Sequence, residues 1–258
     1  MVSHSISTLG EQVAAGGKVL QTGPTAWHLE IPSGPSGEYR LAQLDDYTAL
    51  SRKAFPWRPP LKLNLRMRAS ARSLPGTWGF GLWNDPFGTA LVKGSQFRLP
   101  TLPNAAWFFF ASPPNYLSLR DDLPAQGQLA ATFQSPAKLP AGLILSLPLL
   151  PLILLPPVAR FLRSRARRYI RQDTAELDLD PNSWQAYEID WRDEQVIFRL
   201  DEQIIFETKV NPQGPLGLVI WVDNQYASLP PDGRLGYGTL ANEMEAWIEV
   251  DDLKLTFA

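Results

Sequence analysis

LKLNLRMRA (Leu61–Ala69) decides the fold: Leu61, Leu63, Leu65, Met67 and Ala69 alternate with Lys62, Asn64, Arg66 and Arg68. A period of two buries one set of side chains and wets the other, the pattern of a strand in a sheet packed on one face. Strand signals recur on both sides of it. They are WHLEI (Trp27–Ile31), YRLAQL (Tyr39–Leu44), TWGFGLW (Thr77–Trp83), AWFFFAS (Ala106–Ser112), QLAATF (Gln128–Phe133), WQAYEIDW (Trp184–Trp191), QVIFRL (Gln195–Leu200), QIIFET (Gln203–Thr208), LGLVIWVD (Leu216–Asp223) and WIEVDDLKLTF (Trp247–Phe257). Pro, Gly, Asn and Asp clusters punctuate nearly every gap. Many short strands with turn-rich spacing predict an all-β chain, an antiparallel β-sandwich forming a single domain over residues 1–258. One helix is predicted near Val158–Gln172, its start constrained by the Pro156–Pro157 pair.

Composition narrows the chemistry. The chain has 258 residues, a formal net charge of −2, 24 Pro and nine Trp. Balanced charge gives no long-range attraction to nucleic acid. With no cysteine, thiolate catalysis, disulfides and Cys-ligated metals are excluded. Only His4 and His28 are present, too little material for a histidine metal site or a Ser–His–Asp triad. The first residues show no basic segment followed by an apolar one, so no secretory signal is expected and the chain reads as cytoplasmic.

One stretch does not belong to a sandwich. LPAGLILSLPLLPLILLPPVA (Leu139–Ala159) carries no charge, and RFLRSRARRYIR follows it with Arg160, Arg163, Arg165, Arg167, Arg168 and Arg171. An apolar run beside a cationic cluster is the pattern of an element that inserts into a membrane with anionic lipid. Five prolines (Pro140, Pro148, Pro151, Pro156, Pro157) argue against one spanning helix. A crossing would also part strands of one sandwich. Residues 136–182 therefore read as a hydrophobic and basic, partly helical insertion that dips into the bilayer or lies on it as a peripheral, monotopic anchor. Leu149, Leu152, Ile153, Arg160, Arg163, Arg167 and Arg168 are its expected membrane contacts. The alternatives are packing on the protein's own groove or on a second subunit.

SWQAYEIDWRDEQVIFRLDEQIIFET (Ser183–Thr208) resembles a paired-strand signature of the laminarinase-like proteins, glycoside hydrolase family 16, at Trp191, Val196, Phe198, Leu200 and Asp201. PGTWGFGLW (Pro75–Trp83), LGLVIWVDN (Leu216–Asn224) and WIEVDDLKLTF are similar to further strands of that family, in the same order. The resemblance covers roughly Leu61–Trp83 and Ser183–Phe257 and implies a concanavalin A-like jelly roll. It also implies an E-x-D-x-x-E strand, because retaining hydrolysis needs two carboxyl groups about 5 Å apart on one face. Between Asp85 and Asp121 this chain has no Asp or Glu, and the strand that should carry them is AWFFFAS. Standard family chemistry is disfavoured.

The remaining candidates are aromatic. Trp78, Trp83, Trp107 and Trp221 lie on strands and either line a cleft for a carbohydrate or apolar small molecule or fill the core. Gly79 and Gly81 flank them, as strand glycines do where a ligand or another backbone comes close. Asp85 follows one Trp-bearing strand; Asp223, Asn224 and Tyr226 follow another. They are turn formers, or they meet at one rim and bind hydroxyls or a Ca²⁺ ion, with no other cofactor expected. The leading expectation is a non-catalytic, membrane-associated module that binds a glycan, glycolipid or apolar ligand. The alternatives are an enzyme with relocated carboxylates, Asp85 or Asp223, or a protein that oligomerises through the insertion.

Overall fold

The computed structural model describes residues 9–88, 98–123, 125–138, 140, 143 and 151–257. In chain order the strands are β1 (Gly10–Ala14), β2 (Lys18–Gly23), β3 (Ala26–Ile31), β4 (Leu41–Asp45), β5 (Leu61–Ala69), β6 (Thr77–Trp83), β7 (Ala105–Ala111) and β8 (Gly127–Gln134). After helix α1 (Pro156–Ala166) come β9 (Arg171–Leu177), β10 (Gln185–Trp191), β11 (Val196–Leu200), β12 (Gln203–Thr208), β13 (Gly217–Asp223), β14 (Gln225–Ser228), β15 (Gly236–Thr239) and β16 (Ala246–Phe257). Two seven-stranded sheets form the sandwich, ordered β12-β11-β10-β5-β16-β3-β2 and β1-β4-β13-β6-β7-β8-β9, and β14 pairs with β15 apart from them. All named strand pairs are antiparallel, as their alternation predicts.

The core lies between the two sheets. β5 contributes Leu61, Leu63, Leu65, Met67 and Ala69, none more than 2% exposed. The facing sheet contributes Trp78, Phe80 and Leu82 from β6 and Ala106, Phe108 and Phe110 from β7. Burial of this many large apolar side chains, at roughly 1.5–3 kcal/mol each, is what holds the layers together. The outer face of the β5 sheet is wet. Its charges pair across strands, as Arg68 Nε does with Glu249 at 2.6 Å and Lys62 with Asp190 at 3.8 Å.

The β7 sheet has a second apolar face, and it is covered. Tyr47 and Phe55 pack over one end of it, Ala125 and Leu117 over another part, and Ile170, Leu119 and Ala166 over the β8–β9 edge. The extent of the insertion is corrected here. β9 lies inside residues 136–182 but pairs with β8 from Gln128↔Leu177 to Gln134↔Arg171, so it is a strand of the sheet. The excursion is the segment between Gln134 and Arg171. Its helix ends at Ala166 rather than Gln172, because the chain must turn there to enter β9. Residues 139, 141–142 and 144–150, with Leu149 among them, lie outside the described residues.

Candidate aromatic site on the outer face of the β7 sheet

Alternation along the strands sorts the aromatic residues into two populations. On β7, Ala106, Phe108 and Phe110 face the core, so Ala105, Trp107, Phe109 and Ala111 face outward. On the flanking strands the outward positions include Trp83 of β6, Leu129 and Phe133 of β8, and Val219 and Trp221 of β13. These rings form one cluster. Trp107 lies 6.0 Å from Trp83, 6.0 Å from Trp221, 5.4 Å from Phe109 and 5.8 Å from Phe133, centroid to centroid. Trp83 and Trp107 keep partial exposure, whereas Phe109 and Trp221 beneath them are buried. Trp83, Trp107 and Trp221 are thus brought together as the sequence suggests.

Trp78 is not with them, which corrects its assignment as a ligand contact. It is 2% exposed and stacks on Phe110 at 3.7 Å and 7° inside the sandwich. Parity explains this, since Trp78 and Trp83 are five residues apart on one strand and must face opposite ways. Gly79 serves the backbone rather than a ligand: its φ is +150°, and a Cβ there would meet the Phe108 carbonyl oxygen at 2.2 Å.

The polar candidates do not meet at one rim. β13 runs antiparallel to β6, with Asp223 opposite Thr77 and Gly217 opposite Trp83. Asp223 therefore lies at the start of β6, and Asp85 beyond its end, about 20 Å away at the rise of a strand. Neither is free for acid–base work with the other. Asp85 is fully buried in an ion pair with Arg98 at 2.8 Å. Arg98 also donates to the carbonyls of Tyr47, Thr48 and Leu50, so this pair fixes the 47–50 turn over the sheet.

Asp223 is tied to the aromatic cluster through Thr77. The Trp221 indole donates to the Thr77 hydroxyl at 2.9 Å, and that hydroxyl donates to Asp223 Oδ1 at 2.9 Å. Tyr39 donates to Oδ2 at 3.4 Å. Burial outweighs these hydrogen bonds and pushes the Asp223 carboxyl up to about 7. Asn224 is corrected to a structural role. Its Oδ1 accepts from Arg40 N, and its Nδ2 donates to the carbonyls of Glu38 and Leu240, which leaves little for a ligand. Tyr226 sits on β14 over Gly236 and Gly238 of β15. Among the described residues no group of three His, Asp or Glu side chains comes together to hold a metal ion, the Ca²⁺ alternative for the rim included.

The excursion presents two kinds of side chain. Leu152, Leu154 and Leu155 are 48%, 77% and 52% exposed and Phe161 is 41% exposed; Ile153 is partly buried. Arg160 on α1 and Arg167 and Arg168 just after it are exposed, Arg167 in an ion pair with Asp121. Arg163, expected to face headgroups, is instead 3% exposed, a correction with a clear cause. It donates to the carbonyls of Ser118 (2.8 Å), Leu119 (3.0 Å) and Arg120 (3.1 Å) and to Asp121 Oδ1 (2.7 Å). Those acceptors belong to the loop after β7, so the guanidinium fork ties α1 to the sheet's cover. Arg163 and Arg167 together hold the Asp121 carboxyl below its usual range. No sequence signal separates Arg163 from its neighbours except spacing: with Ala159 and Ala166 it lies on the inward stripe of α1. Among the described residues no helix is long and apolar enough to cross a membrane.

The fold resembles that of glycoside hydrolase family 16 structures, a concanavalin A-like jelly roll. LamAcat from Zobellia galactanivorans superposes with a TM-score of 0.51 at 13% identity, over 99% of this chain and 96% of that one. The Bacillus licheniformis beta-glucanase gives 0.49 at 10% identity, over 99% and 94%. A glycosyl hydrolase family 16 protein of Mycobacterium smegmatis gives 0.45 at 10% identity, over 90% and 75%. No protein-family model matches the chain, and no curated protein matches it in sequence. At these identities the likeness is one of fold.

Proposed function

We propose that this protein is a non-catalytic, glycoside-hydrolase-like sandwich that attaches peripherally to an anionic membrane and binds a glycan, glycolipid or apolar ligand on its aromatic face. The observation that carries the reading is the exposed set Leu152, Leu154, Leu155 and Phe161, with Arg160 exposed on the same helix as Phe161. A lone exposed leucine is ordinary; four large apolar side chains on one short excursion are not. Insertion of half-exposed leucines returns part of the roughly 1.5–3 kcal/mol each would gain on full burial. Each arginine near anionic headgroups adds about 1 kcal/mol, the signature of the cytoplasmic leaflet. The outward positions of β7, Ala105, Trp107, Phe109 and Ala111, carry no carboxylate where the fold family would place its catalytic pair, which favours binding over hydrolysis.

Sedimentation with phosphatidylglycerol vesicles tests the attachment. The full chain is expected to pellet with them at low salt and progressively less at high salt. A Leu154→Glu/Leu155→Glu variant, altered only at exposed positions, is expected to remain in the supernatant. Equal pelleting of the two, or none by either, rejects the reading. A dimer in light scattering that the same variant dissociates would assign the patch to a second copy of the chain.

A further inference from the structure

We propose that residues 117–123 are a strap that lifts as one unit from the outer face of the β7 sheet, with Arg163 of α1 and Gln172 of β9 as its latch. The strap then decides when the aromatic face is open to any solute. The lifting is a property of the fold alone; only its use in ligand access rests on the aromatic-face binding proposed above.

The strap lies directly on that face. Leu117 packs in the cluster that holds Phe109, Leu129 and Trp221, and Leu119 in the one that holds Ala131, Phe133 and Ile170; Trp107 packs against both clusters. Gln172 fixes where Ser118 and Leu119 sit. Its Nε2 donates to the Ser118 hydroxyl at 2.9 Å and to the Thr174 hydroxyl at 3.1 Å, and Thr174 is the strand partner of Ala131. The strap therefore covers Ala131, which is 3% exposed on an outward-facing position of β8.

Side chains alone hold it there. Among the described residues no backbone-to-backbone hydrogen bond involves residues 117–123; the nearest before them are those of Tyr116 with Ala227 and Leu229. The Arg163 guanidinium donates to the consecutive carbonyls of Ser118, Leu119 and Arg120 and to Asp121 Oδ1, all within 3.1 Å. Gln172 Oε1 accepts from Leu119 N at 2.8 Å. Three successive carbonyls on one rigid fork are released together, because a rotation that frees one misaligns the others.

Nothing beneath depends on the strap. β7 pairs with β8 from Ala105↔Phe133 to Ala111↔Gly127, and β8 pairs with β9 along its whole length, so lifting breaks no strand pairing. It gives up the contacts of Leu117 and Leu119, both only partly buried. A segment with few buried apolar contacts and no ladder bonds opens below the free energy of global unfolding. Opening joins the partly exposed Trp107 to an apolar floor of Phe109, Leu129, Ala131 and Phe133.

The chain has no cysteine, so one introduced thiol reports access at one position. Ala131→Cys lies under the strap. Ala130→Cys, its neighbour, faces the sandwich core at 0% exposure and reacts only on global unfolding. With 4,4′-dithiodipyridine under native conditions, Ala131→Cys is expected to react about a hundredfold faster than Ala130→Cys. Adding Arg163→Gln should raise the Ala131→Cys rate about tenfold further and leave the Ala130→Cys rate unchanged. Gln172→Ala should act in the same direction, and amide exchange of Leu119 should quicken in step. Equal rates for the two thiols would mean that the face opens only with the whole fold, which overturns the proposal. A rise shared equally by both thiols in Arg163→Gln, or no rise in either, removes Arg163 as the latch and overturns it as well. So does a Leu119 amide that stays protected while Ala131→Cys speeds up, since α1 and not the strap would then uncover the face. Vesicle sedimentation enters none of these outcomes, so the strap and the membrane reading fail separately.

Discussion

Trp78 and Trp107 occupy adjacent strands of one sheet and do opposite work. Trp78 stacks on Phe110 inside the sandwich, whereas Trp107 lies on the outer face with one part exposed. Trp78→Ala should cost about 3–5 kcal/mol, the range for emptying a packed aromatic site. Trp107→Ala should cost clearly less, because part of its ring already meets water. Urea unfolding of both variants checks this, and equal losses would place Trp107 in the core and end its role as a ligand platform. Which face each residue takes was legible from parity once the strands were located. What parity could not give was depth: Trp221 shares the outer face with Trp107 yet is 8% exposed, with its indole tied to Thr77 and its ring packed beside Trp107 and Phe109. Asn224 was misleading for a related reason. A Trp-bearing strand followed by an amide looks like a rim, but both ends of this amide are consumed by the backbone of residues 38, 40 and 240.

At the scale of elements, the strands with a clear burial pattern were readable and those without one were not. β5, β6, β7, β10, β13 and β16 bury one face or both, so their alternation or apolar run appears in the sequence. β9, RQDTAEL, is an edge strand with Thr174 its only buried residue, and its charges disguise it as a solvated linker. Such charges are what protect an edge from pairing with another chain. β1 and β2 are edges too and were missed for the same reason. Helix α1 was anticipated, but its attachment was not, since a buried arginine in a basic run looks like any other. That attachment makes a prediction. Arg163→Gln strands three carbonyls without their common donor and leaves the Asp121 carboxylate to Arg167 alone, while the sandwich core is untouched. Trypsin cleavage within residues 160–168 should rise at least tenfold under native conditions, and hydrogen exchange of α1 should quicken while β7 stays protected. Arg163→Lys should restore only part of this, because one ammonium cannot span acceptors arranged for a fork. Unchanged proteolysis in Arg163→Gln would mean that α1 is held by its apolar contacts alone.

For the molecule as a whole, the order of strand motifs carried the fold while no single motif did, which fits a topology that persists at 13% identity. Sandwich topology is enforced by which strands bury which faces, and that constraint holds with little sequence in common. The same layered burial sets the pH response. Burial pushes the carboxyls of Asp46 and Asp223 up to about 7, from 3.8 in the open chain. Asp46 sits between the Trp57 indole and Leu218 N, and Asp223 under Thr77 and Tyr39. Between pH 4 and pH 7 the folded protein keeps these protons while the unfolded chain has released them. The folded state binds more protons there, so stability is fully present below about pH 4 and declines as pH rises toward 7. Each carboxyl contributes a slope of at most about 1.4 kcal/mol per pH unit. Paired carboxylates held low, such as Asp121 beside Arg163, act in the opposite sense but only at more acidic pH. Urea unfolding at pH 5, 6 and 7 should therefore show stability decreasing across the series. In Asp223→Asn, which resembles the protonated acid at every pH, the decline should be markedly shallower, with the remainder belonging to Asp46. Parallel curves for the two proteins would mean that Asp223 is solvated in the folded state and that the cover over its end of the sheet is open.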